Sequence, residues 1–146
     1  MEIRAAVEDD FNAILELIKQ LTSKPEKYND ASPYREAFLT ALKKEGTHVF
    51  VLIEDDKVIG HINLSLYWDT WHLGNAVFVD ALIIDKNHRG KGHGTKLITF
   101  TEKFAKENNA KMIYLYTEDF RKVAKSIYEK AGFKEYDKIF YFKKVE

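Results

Sequence analysis

The chain contains no cysteine. That excludes a disulfide framework, a thiolate metal site and an acyl-enzyme carried on sulfur. Net charge is missing as well, because 23 basic side chains balance 23 acidic ones. No overall field therefore draws the protein towards nucleic acid or an anionic membrane, and a phosphate-bearing ligand has to be held by a local device. Glycine and proline are scarce, at seven and two residues, which argues against long disordered stretches. No apolar run approaches the length of a membrane span. The opening MEIRAAVEDD lacks the basic-then-apolar order of a signal peptide, so a cytoplasmic location is expected. Five histidines are present, but no two sit at helical ligand spacing with a carboxylate. No metal is expected.

What remains is the pattern of an ordinary globular chain, and 146 residues suit a single domain spanning 1–146. Ile3 to Ala6 reads as a short strand. An apolar stripe of Phe11, Ile14, Leu15, Ile18 and Leu21 follows at helical spacing. A polar loop leads to a second helix, with Ser32 as N-cap, Pro33 at its first position and Gly46 at its C-terminal end. His48 to Glu54 and Lys57 to Tyr67 read as strands flanking an Asp55-Asp56 hairpin turn. After the aromatic connection Trp68 to His72 comes the most strand-like run, Ala76 to Asp85. A glycine-rich turn then opens a helix with Leu97, Ile98, Thr101, Phe104 and Ala105 on one face. Met112 to Thr117 predicts a strand. Val123, Ala124, Ile127, Tyr128 and Ala131 predict a helix closed by Gly132, and Lys138 to Lys143 predicts a last strand. A meander followed by alternating helices and strands makes an α/β fold, a mixed sheet with helices on both faces.

The stretch Asp85 to Lys96 carries the most chemistry. Gly90, Gly92 and Gly94 alternate between a strand and a helix, so successive backbone N–H groups can point outward beside the positive end of a helix dipole. Arg89, Lys91 and Lys96 add charge, and a pyrophosphate is the natural occupant. The ATP-binding P-loop needs Gly-Lys-Ser/Thr, which Thr95-Lys96 reverses. The dinucleotide fingerprint needs Gly-x-Gly-x-x-Gly near a first strand, which the spacing and place here do not supply.

Arg89-x-x-Gly92-x-Gly94 after a long strand does resemble the pyrophosphate motif of the GNAT superfamily of acetyl-CoA-dependent N-acyltransferases. Ala124-Lys-Ser-Ile127-Tyr128-Glu-Lys-Ala-Gly132-Phe133 resembles that superfamily's second signature, and the element order agrees along essentially the whole chain. The resemblance implies a mostly antiparallel twisted sheet of about six to seven strands with about four helices on its two faces. It implies acetyl-CoA as cosubstrate, with the edge of Leu82, Ile83 and Ile84 pairing with the pantetheine arm. Arg89, Gly90, Lys91, Gly92, His93, Gly94 and Thr95 would hold the pyrophosphate. Ala124 and Tyr128 would complete the coenzyme set, with Arg121 standing where relatives often carry Asn. A homodimer is the expected assembly.

Four tasks follow for amine acetylation: positioning the thioester, polarising its carbonyl, neutralising the amine and protonating the thiolate. A backbone N–H near Ile83 or Ile84 would polarise the carbonyl. Tyr128 is the candidate general acid, since a phenol keeps its proton up to a pH near ~10. Asp80 interrupts the apolar run Val77 to Leu82, which is unfavourable unless the carboxylate is paired or faces a cleft. It is either the general base or cation anchor, or an Asp paired with a neighbour. Tyr67, Trp68, Asp69 and Trp71 are candidates for the acceptor pocket, with Tyr28 and Tyr34 beside them. The tryptophans equally suit packing under the first two helices or at a dimer interface. His93 reads as a solvent-facing loop side chain. With no covalent carrier, direct attack in a ternary complex on a small primary amine is expected. A protein N-terminus or lysine as acceptor, and a non-catalytic acyl-CoA sensor, stay open beside it. Nucleic-acid and membrane partners are not expected.

Overall fold

The computed structural model describes residues 1–146. Five strands, β1 (Glu2–Ala5), β2 (Thr47–Glu54), β3 (Lys57–Asp69), β4 (Gly74–Ile84) and β5 (Ala110–Leu115), lie in one sheet in chain order. The first three junctions are antiparallel and the β4–β5 junction is parallel. The helices are α1 (Phe11–Lys19), α2 (Ser32–Lys43), α3 (His93–Glu107) and α4 (Lys122–Lys130).

Alternation along β2 decides which helix covers which face. Val49 and Val51 join Ile14 of α1, with Phe38, Ala41 and Leu42 of α2 packed beside them. Leu52 points the other way, into a cluster with Ile62, Leu64, Val77 and Val79 of the sheet and Leu97, Phe104 and Ala105 of α3. A parallel neighbour requires a crossover, and α3 supplies it on the face opposite α1 and α2. The hairpin between β2 and β3 turns through Asp55 and Asp56, at φ 50° and 61°. Two left-handed residues match the twist of adjacent antiparallel strands.

One irregularity in β4 determines where its side chains point. Leu64 pairs with Val79 and Asn63 with Ala81, so Asp80 is an extra residue on β4 with no partner on β3. Val77 and Val79 before this bulge face α3, and so do Leu82 and Ile84 after it. Alternation puts Asp80 on the far face, where it is exposed, and the bulge switches the parity after it so that Leu82 and Ile84 return to the core. This is how a carboxylate is tolerated in an apolar run.

The helix starting at Ser32 has Ala31 at its N-cap, so the expected cap and Pro33 each fall one position further inside. The strand expected over Lys138 to Lys143 is absent, and the sheet has five strands rather than six or seven. Within that tail the only backbone hydrogen bond runs from Lys138 N–H to the Tyr136 carbonyl, 3.0 Å, which bends the chain. Ile139, Phe140, Tyr141 and Phe142 are 64–85 % exposed. Four consecutive apolar residues have strand propensity on both faces, but propensity reports how side chains suit a pleated surface and does not create a pairing partner.

Gly60 is a tight point of the sheet. A Cβ there would meet Ile84 Cδ1 at 2.9 Å, Leu52 Cβ at 3.2 Å and the Ile83 carbonyl oxygen at 3.3 Å. Gly60→Ala is expected to destabilise the protein by about 1–3 kcal/mol, read as a lower urea midpoint at an unchanged slope.

Candidate active site

The turn between β4 and α3 is built by glycines that a side chain would not replace. Gly90 and Gly92 stand at φ +76° and +83°, with no heavy atom within 4 Å of where a Cβ would point. Gly92 is the N-cap of α3, so the open space above the turn faces the helix's unpaired N–H groups, an arrangement suited to an anion. A Cβ on Gly94 would come within 3.1 Å of Ile127 Cδ1, so this glycine lets α4 lie close against the start of α3. The turn is braced from below. Gln20, just past α1, donates its amide to Asp85 Oδ1 at 2.8 Å and accepts the Lys86 N–H at 2.9 Å. His88 Nδ1 lies 2.7 Å from Asp85 Oδ2, and Arg89 Nε donates to the Ile84 carbonyl at 3.0 Å. The hydrogen bonds from Gln20, then that with His88, hold the Asp85 carboxyl below the ordinary carboxylate range.

Next to this turn, β4 outruns its parallel neighbour. Pairing with β5 ends at Val79–Leu115, whereas pairing with β3 continues to Gly60–Ile84. On the β5 side, the backbone from Asp80 to Ile84 has no strand beside it. Such a groove, ending at an anion-binding turn, matches an extended chain that carries amide groups and terminates in a pyrophosphate.

Tyr128 is placed by the way α4 ends. Gly132 at φ +89° lets Phe133 N–H reach the Tyr128 carbonyl and Gly132 N–H reach the Glu129 carbonyl, both at 3.0 Å. This double closure brings the Phe133 ring to 6.0 Å from that of Tyr128. Burial raises the Tyr128 pKa and the nearby Arg121 guanidinium opposes it; the net direction is upward. The phenol therefore holds its proton through neutral pH.

On the sheet face opposite α3, Ser65 Oγ donates to Asp80 Oδ2 at 2.5 Å. Alternation puts Ser65, Tyr67 and Asp69 of β3 and Phe78 of β4 on that same face. Phe78 meets Tyr116 edge-on at 4.9 Å, and Tyr116 meets Phe140 at 4.9 Å. Deeper in, Asp69 accepts the Tyr114 hydroxyl at 2.8 Å, His72 Nδ1 lies 2.8 Å from it, and the Trp71 N–H donates at 3.0 Å. Burial would raise the Asp69 pKa, but these donors outweigh it and hold the carboxyl below its ordinary value. Tyr114 is pushed up to about 12 by burial and by its bond to Asp69.

Residues 11–133 match the model of the Acetyltransferase (GNAT) family. The chain belongs to this family of acetyltransferases. Among GNAT relatives, an uncharacterized N-acetyltransferase of Bacillus subtilis, YhfO, is 30 % identical over 92 % of this chain and 91 % of its own. An aminoalkylphosphonate N-acetyltransferase of Salmonella typhimurium is 24 % identical over 92 % and 85 % of the two chains. The crystal structure of a possible acetyltransferase from Clostridium difficile superposes with a TM-score of 0.83 at 26 % identity, covering 99 % and 97 %. The protein is thus a GNAT acyltransferase, and acetyltransferases of this family use acetyl-CoA.

The GNAT signatures read from the sequence fall together around the β4–α3 turn and the α4 end. Arg121 is the N-cap of α4, 3.6 Å from Glu118 and stacked over the Phe120 ring at 5.1 Å. Ala124 is half-buried on the same helix. His93 is a correction: it is only 4 % exposed, because it is the first residue of α3 and turns inward. Its Nε2 stands 4.0 Å from Glu54 Oε2, and neither ring nitrogen has a hydrogen-bond partner. Only its backbone N–H remains for the turn. The tryptophans are a second correction: they are not packed under α1 and α2, since Trp71 is 90 % exposed at the hairpin tip and Trp68 is 62 % exposed on the α3 side of β3. The rings of Tyr28 and Tyr34 meet at 4.5 Å, tilted by 43°. Ser65, Phe78, Tyr114 and Tyr116 escaped sequence reasoning; only their parity with Asp80 on the strands marked the first two.

Because the Asp69 pKa is depressed in the fold, its contribution is present above the unfolded carboxylate pKa and is lost as pH falls through the folded value. Tyr114→Phe removes one of the donors that depress it. Thermal unfolding followed from pH ~7 to ~3 should show a lower melting temperature for Tyr114→Phe at neutral pH, with the gap to wild type narrowing on acidification.

Proposed function

We propose that the protein moves an acetyl group from acetyl-CoA directly to a primary amine of a small molecule. The observation that carries this reading is the course of β4. A carboxylate at Asp80, a free backbone edge over Leu82 to Ile84 and a glycine turn suited to pyrophosphate follow one another along one strand. In this reading the N–H groups of Gly90 to Thr95, with Arg89 and Lys91, take the pyrophosphate. The free β4 edge aligns the pantetheine arm, and a backbone N–H at Ile83 or Ile84 polarises the thioester carbonyl.

Asp80 holds the acceptor's ammonium and takes one proton from it first, which frees the lone pair; the neutral nitrogen then bonds to the carbonyl carbon and gives its second proton to water. Ser65 orients the carboxylate for that step. As the carbon–sulfur bond breaks, Tyr128 passes its hydroxyl proton to the departing sulfur and regains one from water. The raised Tyr128 pKa keeps this proton in place at neutral pH.

Tyr128→Phe is expected to lower kcat by about 10²–10⁴ with little change in acetyl-CoA affinity, measured by acceptor-dependent thiol release and by calorimetry. Tight coenzyme binding without release of thiol to any amine would sink the catalytic reading in favour of a sensor. A Tyr128→Phe variant as active as the wild type would remove Tyr128 as the acid.

A further inference from the structure

The face that carries Asp80 has a composition that says what kind of amine fits it. Across β3, β4 and β5 only two carboxylates occur, Asp69 and Asp80. Asp69 is 6 % exposed and already accepts from the Tyr114 hydroxyl and the Trp71 N–H, with His72 beside it. It has no capacity left for a ligand. Asp80 is exposed, and one hydroxyl, that of Ser65, meets one of its oxygens. The next acidic side chains along the chain after β5 are also engaged: Glu118 lies 3.6 Å from Arg121 and Asp119 lies 2.7 Å from Lys125. On these three strands Asp80 is therefore the carboxylate open to a positive charge.

Aromatic carbon lies beside that carboxylate. Phe78, two residues before Asp80, meets Tyr116 at 4.9 Å, Tyr116 meets Phe140 at 4.9 Å, and Phe140 stacks on Phe142 at 6.5 Å. Tyr116 and Phe140 are 66 % and 64 % exposed. Tyr67, 40 % exposed, completes the wall on β3. Ser65 is committed to Asp80 and Tyr114 to Asp69, which leaves the phenol hydroxyls of Tyr67 and Tyr116 as the open ones on this wall. A sugar ring carries more hydroxyls than two phenols can meet, and a polyamine's second cation would find no further open carboxylate on these strands. Rings next to a single carboxylate instead suit an ammonium followed by a flat apolar arm.

We propose that the acceptor is a monocationic primary amine with an aromatic arm, held by Asp80 at its nitrogen and by Phe78, Tyr116 and Phe140 along its ring. This rests on the acetyltransferase reading of Asp80 and Tyr128 above. The test is a set of kcat/KM values with saturating acetyl-CoA for phenethylamine, propylamine, spermidine, glucosamine and 2-aminoethylphosphonate. Phenethylamine should exceed propylamine by about tenfold, the worth of one ring–ring contact and the apolar area the ring buries, and should exceed the other three. Tyr116→Ala, at an exposed position that does not depend on the core, should narrow the phenethylamine-to-propylamine ratio. Calorimetry should show the same variant weakening phenethylamine binding to the CoA-saturated protein. Equal or better turnover of spermidine, glucosamine or 2-aminoethylphosphonate overturns the aromatic acceptor and leaves the acetyltransferase reading standing. An unchanged ratio in Tyr116→Ala also overturns it. Release of thiol with none of the five amines sinks the underlying reading as well.

Discussion

The departure of β4 from β5 is the constraint on which the rest of the molecule turns. A parallel pair is joined by a crossover, and α3 is that crossover, starting where β4 stops. The end of one strand's pairing and the beginning of a helix both leave backbone groups without intramolecular partners. Here the two sets fall at the same place, after Val79 and at Gly92. Inside the sheet the strands are paired, β1 and β5 form its outer edges, and apolar clusters lie on both faces. Unmet backbone groups of a strand and of a helix thus lie close together here, and Gly94 lets α4 approach the start of α3 through Ile127.

The Asp80 bulge is the second determinant, and it acts on the opposite face. Without the extra residue, Asp80 would still point away from α3, but Leu82 and Ile84 would follow it out of the core. The shift in register keeps Leu82 and Ile84 packed against α3 while leaving the carboxylate outside. Apolar packing on one face and a functional group on the other are thus obtained from one strand.

Features that depend on nearby residues were legible in the chain itself. The Asp55-Asp56 hairpin, the glycine turn and the Gly132 closure of α4 are local devices with their own residue chemistry. Features set by distant partners were not. Nothing in Val79-Asp80-Ala81 marks a bulge, because a bulge is a relation between two strands. Asp69 stands in a polar, turn-like stretch, and its burial becomes apparent only when Tyr114, from another strand, crosses to meet it. His93 sits among glycines and charges and reads as solvated, yet the first residue of a helix can point inward as easily as out. The tail around Phe140 failed as a strand for the same reason: side-chain preference is local and a pairing partner is not.

The brace made by Gln20 has a consequence of its own. One amide side chain grips both Asp85 and the Lys86 N–H, so the end of α1 and the glycine turn are tied to each other. Helix α1 belongs to the face that carries Asp80, and the turn belongs to the cleft. Two hydrogen bonds thus fasten the turn to a helix that precedes it by some 65 residues in sequence, and the place where α1 ends helps set the shape of the turn.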